Sequence, residues 1–226
     1  MQRRDFSALA AFAALAGAVR IARADALSNA DAASGIRAAL ERGASAAVEL
    51  LGRPDGFLGN PKVRIPLPGF LNEAAKVLKF TGQQKRVDEL VTAMNRAAEA
   101  AVPEAKALLV SAVKSMSVGD ARSIVAGGQD SVTRFFATKT RAPLGERFLP
   151  IVTRETAKVD LAARFNAVAS KAAGLGLVKG DDANIERYVT GKALDGLYLM
   201  IGEDEKKIRS DPVGTGSAIL AKVFGR

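Results

Sequence analysis

Apolar residues recur at three- and four-residue steps along almost the whole chain, and that period predicts helix after helix. Over positions 29–51, Ile36, Leu40, Ala47, Val48 and Leu51 form one stripe, with Asn29 or Asp31 as the cap and Gly52 before Pro54 as the stop. Phe70–Phe80 reads as a short helix closed by Gly82. Gln83–Ala101 follows, with Val87, Leu90, Val91, Met94 and Ala98 on its buried face. Pro103 suits the first position of a helix over Glu104–Met116. Ser117 and Asp120 have the spacing of a capping box that opens Ala121–Ala126, and Gly127-Gly128 ends it. Asp130 or Ser131 caps a helix to Lys139, and two more follow at Leu144–Val159, kinked at Pro150, and Leu161–Ala173. The last long helix runs from Asp182 to about Ile208 and stops at Asp211-Pro212, with a terminal turn over Ser217–Phe224. No useful strand-period alternation interrupts this, so the expected fold is all-α: one multi-helix globular bundle of about eight or nine helices over 27–226.

One segment breaks the rhythm. Asp55–Gly69 holds three prolines and three glycines, which forbid a helix, yet it also carries Phe57, Leu58, Val63, Ile65 and Leu67. So apolar a connection is expected to be anchored on the body, with a short strand at Val63–Ile65. Its side chains Phe57, Leu58, Arg64, Ile65 and Leu67 are the candidate binding residues, read as an exposed lip of a groove.

The first 26 residues follow a different logic. Arg3-Arg4-Asp5-Phe6 is charged, Ala8–Val19 is small and apolar, and Ala22-Arg23-Ala24 and Ala24-Asp25-Ala26 are small-x-small cleavage sites. That order is expected of a bacterial export signal, which places the mature chain in the periplasm. A spanning helix needs about 20 apolar residues, so retention as an anchor is not expected. Arg3-Arg4-x-Phe6 partly matches the twin-arginine signature, although Gln2, Ser7 and Ala8 are not the usual flanks; the general secretory route remains the alternative.

The chain carries a net +9. Four arginines and two aspartates lie in the first 26 residues, so the other 200 carry +7. This balance favours acidic partners or simple solubility. Lysine and arginine are scattered among acids and not interleaved with aromatics, so nucleic acid is not an expected partner.

Absent residue types narrow the chemistry. There is no His and no Cys. The commonest general acid–base group, the commonest metal ligand, thiolate nucleophiles and disulfides are all missing. No nucleophile elbow, phosphate loop or calcium loop is present, so neither a cofactor nor a metal is expected. Paired carboxylates are the remaining classical chemistry, with Glu99, Glu104 and Asp195 as the candidates. Asn95 and Glu99 share a helix face, and Arg96 lies three residues before Glu99. Alanines surround this group, which reads either as a polar binding site or as a helix corner whose polar groups satisfy one another. On the last long helix Leu194, Leu197, Tyr198, Ile201 and Ile208 form one stripe, and Asp195 lies on a different face, where it reads as an interior charge needing Lys192 or a distant arginine. Gly191, Asp195 and Gly202 share a face open to close approach, and Glu203–Arg209 reads as a solvated, mixed-charge end.

These segments together resemble a bacterial family known as a domain of unknown function, number 4197. The resemblance rests on Asp55-Gly56-Phe57-Leu58, Arg64-Ile65-Pro66-Leu67-Pro68, Met94-Asn95-Arg96-Ala97-Ala98-Glu99 and Val102-Pro103-Glu104-Ala105. It continues through Arg147-Phe148-Leu149-Pro150-Ile151, Lys192-Ala193-Leu194-Asp195-Gly196-Leu197, Glu205–Pro212 and Lys222-Val223-Phe224-Gly225. The resemblance implies an exported or lipid-anchored envelope protein; this chain departs from the latter in having no cysteine to lipidate. It implies no activity and transfers no catalytic residue. The expectation is a non-catalytic helical protein that binds an envelope protein or a lipid-like ligand. A carboxylate-dependent hydrolase and a purely structural component are the alternatives.

Overall fold

The computed structural model describes residues 29–174 and 184–211. Eight α-helices occupy these residues: α1 (Asn29–Gly52), α2 (Asn72–Phe80), α3 (Gln84–Ala101), α4 (Ala105–Lys114), α5 (Val118–Ala126), α6 (Ser131–Thr156), α7 (Asp160–Gly174) and α8 (Ile185–Ser210). Short 3-10 turns stand at Gly69–Leu71 and Val102–Glu104. The all-α class holds, and there is no strand among the described residues. The export signal over 1–26, the start of the last helix at Asp182 and the terminal turn at Ser217–Phe224 lie outside the described residues.

Local chemistry sets most boundaries. Ser117 accepts from the Asp120 amide and the Asp120 carboxylate accepts from the Ser117 amide, a reciprocal capping box at α5. Asn184 caps α8 by accepting from the Arg187 amide. Gly82 takes φ +77 at the tight corner between α2 and α3, a conformation that favours glycine.

The expected break before Leu144 is absent. One helix, α6, runs through both Pro143 and Pro150. Val132, Phe136, Thr140, Leu144, Phe148, Val152 and Thr156 are all buried at four-residue steps. Each such step turns the buried surface by about 40°, so the stripe winds round the helix and needs neighbours on several sides. The principal neighbours are α8 and α3, with α4 and α5 beside them. The prolines withhold donors from the carbonyls of Lys139 and Glu146, both exposed residues, where water can serve instead. Packing therefore overrides the local break.

Buried side chains from α1 to α8 join in one apolar cluster, with Phe57, Phe136 and Phe148 among its largest fully buried members. Across the α6–α8 contact the hydroxyls of Thr140 and Tyr198 lie 2.9 Å apart. Burial raises the Tyr198 phenol above its ordinary range, and the Thr140 bond opposes that. Close approach to α8 occurs at Gly196 and Gly202, whereas a side chain at Gly191 would meet nothing within 4 Å.

Candidate functional site

The motif residues converge on the segment between α1 and α2, which α3 holds from one side and α8 from the other. Asn95 and Glu99 lie one turn apart on α3 and are buried. The Asn95 side-chain amide grips the backbone of Ile65. Its Oδ1 accepts the Ile65 N–H at 2.8 Å, and its Nδ2 donates to the Ile65 carbonyl at 2.9 Å. A side chain thus takes the place of a neighbouring strand, and the strand expected at Val63–Ile65 is absent: Val63 lies in a turn, and the Val63 and Arg64 N–H groups donate to the Asn60 carbonyl. Asn95 Nδ2 also donates to its own helix at the Val91 carbonyl, 2.8 Å away.

Glu99 ties down the other end of the segment. Its Oε1 accepts the N–H groups of Phe57 and Leu58, both at 3.0 Å. Its Oε2 accepts from Arg96 Nη1 at 2.6 Å, and Arg96 Nη2 donates to Asp55 at 2.8 Å. The hydrogen bond to Glu99 leads the influences that raise the Arg96 guanidinium above its ordinary value. Asp55 adopts φ +65, a left-handed turn that aspartate tolerates, and it starts the reversal out of α1.

On the α8 side the fit is steric. A β-carbon at Gly196 would stand 2.8 Å from Cε1 of the Phe57 ring, so the ring lies flush against the helix backbone. The Tyr188 hydroxyl donates to the Pro66 carbonyl at 3.2 Å, and Lys62 meets Glu203 at 2.5 Å. That ion pair, together with Lys206, holds the Glu203 carboxyl below the usual carboxylate range.

This geometry corrects the exposed lip. Phe57 and Ile65 are 0 % and 1 % exposed and belong to the core. Leu58 and Leu67 are half-buried, and only Arg64 of the five lies open. The segment is apolar because it fills a gap between α3 and α8. Of the polar residues singled out, Asn95, Arg96 and Glu99 act together. Glu104 is exposed at the corner before α4 and stays apart from them. Asp195 is not interior: its side chain is half exposed, 2.7 Å from Arg141 and 3.8 Å from Lys192. The adjacent Gly196 takes the inward position.

A second buried charge escaped sequence reasoning. Glu205, in the run read as solvated, is 4 % exposed. It accepts the Ser131 hydroxyl at 3.0 Å, the Val132 amide at 3.1 Å and the Thr133 amide at 3.4 Å, and so caps α6 from another helix. Arg209 completes the knot, donating to Glu205 at 2.9 Å and to the Ile124 carbonyl at 2.7 Å. The Glu203–Lys207 stretch is three acids followed by two lysines, and only its place four residues past Ile201, in line with the apolar stripe, sets Glu205 apart from its neighbours.

Several hollows open among the described residues, including one of about 370 Å³ lined by Arg141, Asp195 and Tyr198; two others lie between the helices. An apolar slot of about 30 Å³ between α1, α5, α6 and α8 is lined by Ile36, Leu40, Val132, Phe136 and Ile201. An open trough of about 1090 Å³ separates α3 from the α6–α7 junction, with Lys85, Asp88, Arg96, Glu155 and Lys158 along it. Lys158 holds the Glu155 carboxyl below its ordinary range. Among the described residues no cluster of acids could hold a metal ion, and no helix is long and apolar enough to cross a membrane. The family model described as "Protein of unknown function (DUF4197)" matches residues 26–225. No curated protein and no solved structure matches the chain.

Proposed function

We propose, from the premise that this chain belongs to the DUF4197 family, that it is an exported, non-catalytic envelope protein that engages its partner through its surface. One observation carries the reading. Glu99, the acid at the centre of the convergent motifs, has both carboxylate oxygens engaged by Phe57, Leu58 and Arg96. Those bonds hold the fold and keep the carboxylate buried. Glu205 is committed in the same way to the start of α6.

The size of the interior supports a surface mode. Small-molecule sites run to roughly 300–1,000 Å³. The apolar slot offers about 30 Å³, room for a water or two and not for an acyl chain, and the hollows of small-molecule size, the trough of about 1090 Å³ among them, are open to the surface and edged by charged side chains. The N-terminal order of charge, apolar run and small-x-small sites supports export to the periplasm.

Fractionation of cells producing the full chain tests both halves. The expected result is a periplasmic protein whose N-terminus follows Ala24 or Ala26, whose solvent extract holds no stoichiometric acyl chain. An uncleaved cytoplasmic product overturns export. Turnover of an envelope glycan by the pure protein, abolished by Glu99→Gln or Asp195→Asn, overturns the non-catalytic assignment.

A further inference from the structure

Among the described residues the two most exposed large apolar side chains sit on one short helix, ahead of Leu199 on α8 and Val118 on α5. Phe80 is 95 % exposed and Val77 63 %. By contrast Phe57, Phe136, Phe148 and Phe165 lie in the core and Phe135 packs against it. Helix α2 rests chiefly on α3 and on the 3-10 turn before it. Leu71 and Ala75 are buried and Leu78 half-buried on that side, while Lys76, Val77, Lys79 and Phe80 are exposed. The outward surface therefore alternates cation and apolar group. Lys85 and Arg86, exposed at the start of α3, extend the positive charge past the Gly82 corner. Between Asn72 and Arg86 the sequence has four cations and one acid, Glu73. Asp88 and Glu89 follow, the latter 4.0 Å from Lys85.

We infer that the α2 tip is a membrane-docking element: Val77 and Phe80 enter the headgroup layer of an anionic phospholipid bilayer while Lys79, Lys85 and Arg86 meet its phosphates. The inference rests on the surface-binding reading above and names the partner. Charge complementarity selects the occupant. Four cations beside two exposed apolar side chains, on a net-basic chain, suit a negatively charged lipid surface. A stable protein interface needs about 800 Å² from each partner, far more than two side chains present. A headgroup layer accepts shallow insertion of a few apolar groups beside a basic rim.

The chain has no tryptophan, so Phe80→Trp installs a single fluorophore at the tip. With vesicles of phosphatidylcholine containing about 30 % phosphatidylglycerol, its emission should shift to the blue, and about 0.5 M salt should reverse the shift. Pure phosphatidylcholine vesicles should give none. Phe80→Ser and Lys79→Glu should each lower the partition coefficient about tenfold. Both should leave the melting temperature unchanged, since both side chains are exposed. No shift on the anionic vesicles, or full binding by Phe80→Ser, overturns the proposal. So does a dimer that Phe80→Ser dissociates in the absence of any lipid effect. None of these failures touches the non-catalytic reading, which falls only on substrate turnover.

Discussion

Glu99 shows how one side chain can define a region. Two amides and a guanidinium converge on it at 2.6–3.0 Å while the carboxylate is buried. Removing one member of such a group leaves the others unsatisfied. Glu99→Gln turns an amide nitrogen toward either Arg96 or the Phe57 and Leu58 N–H groups. The expected loss is about 2–4 kcal/mol in urea denaturation. Glu104→Gln, at an exposed corner, should stay within about 0.5 kcal/mol of the parent. Equal effects would mean that the Glu99 contacts contribute little. The pairing within α3 was legible, because i to i+3 and i to i+4 spacing puts Asn95, Arg96 and Glu99 on one face. What they hold was not. The Glu99–Phe57 bond spans 42 positions and the Glu205–Val132 bond 73, and no local pattern encodes such a meeting.

Among the elements, α5 depends most visibly on its cap. It has nine residues, too few to persist alone, and Ser117 and Asp120 bind each other's amides at its start. Ser117→Ala should cost about 0.5–2 kcal/mol at neutral pH. Bonds from the Ser117 amide and hydroxyl hold the Asp120 carboxyl below its ordinary range. A depressed carboxyl means that the unfolded chain binds the proton more readily. Its contribution is complete above about pH 4 and fades as pH falls below that. The difference in melting temperature between parent and Ser117→Ala should therefore narrow between pH 7 and about pH 3. A gap independent of pH would remove Asp120 from the account. Periodicity and caps made most elements legible, and they failed where packing outweighed them. The prolines of α6 argued for a break, but the winding stripe from Val132 to Thr156 is enclosed by its neighbours. In α8 the stripe of Leu194, Leu197, Tyr198 and Ile201 is buried as its spacing predicts, and only the neighbouring Asp195 departs from its expected interior place. Asp195 faces outward and Gly196 inward, because only a glycine admits the Phe57 ring.

At the scale of the molecule, the irregular segment acts as a core element without regular structure. Asn95 and Glu99 fix its backbone to α3, and Tyr188, Gly196 and Glu203 fix it to α8. The amides of Phe57, Leu58 and Ile65 should therefore exchange with deuterium as slowly as those of α3. Exchange at the rate of open loop amides would show the clamp to be loose. The sequence made the anchoring itself legible, since an apolar stretch rich in proline must cover itself somewhere. It did not reveal that Phe57 and Ile65 are wholly covered.

The same clamp bears on the order of events during synthesis. Lys62 and Glu203 are 141 positions apart. The ring of Phe57 has no seat until the residue at 196 has emerged, so a growing chain carries an open buckle for most of its translation. On a growing chain closure cannot precede the emergence of α8, and a chain truncated before α8 would leave the Phe57 ring without that wall.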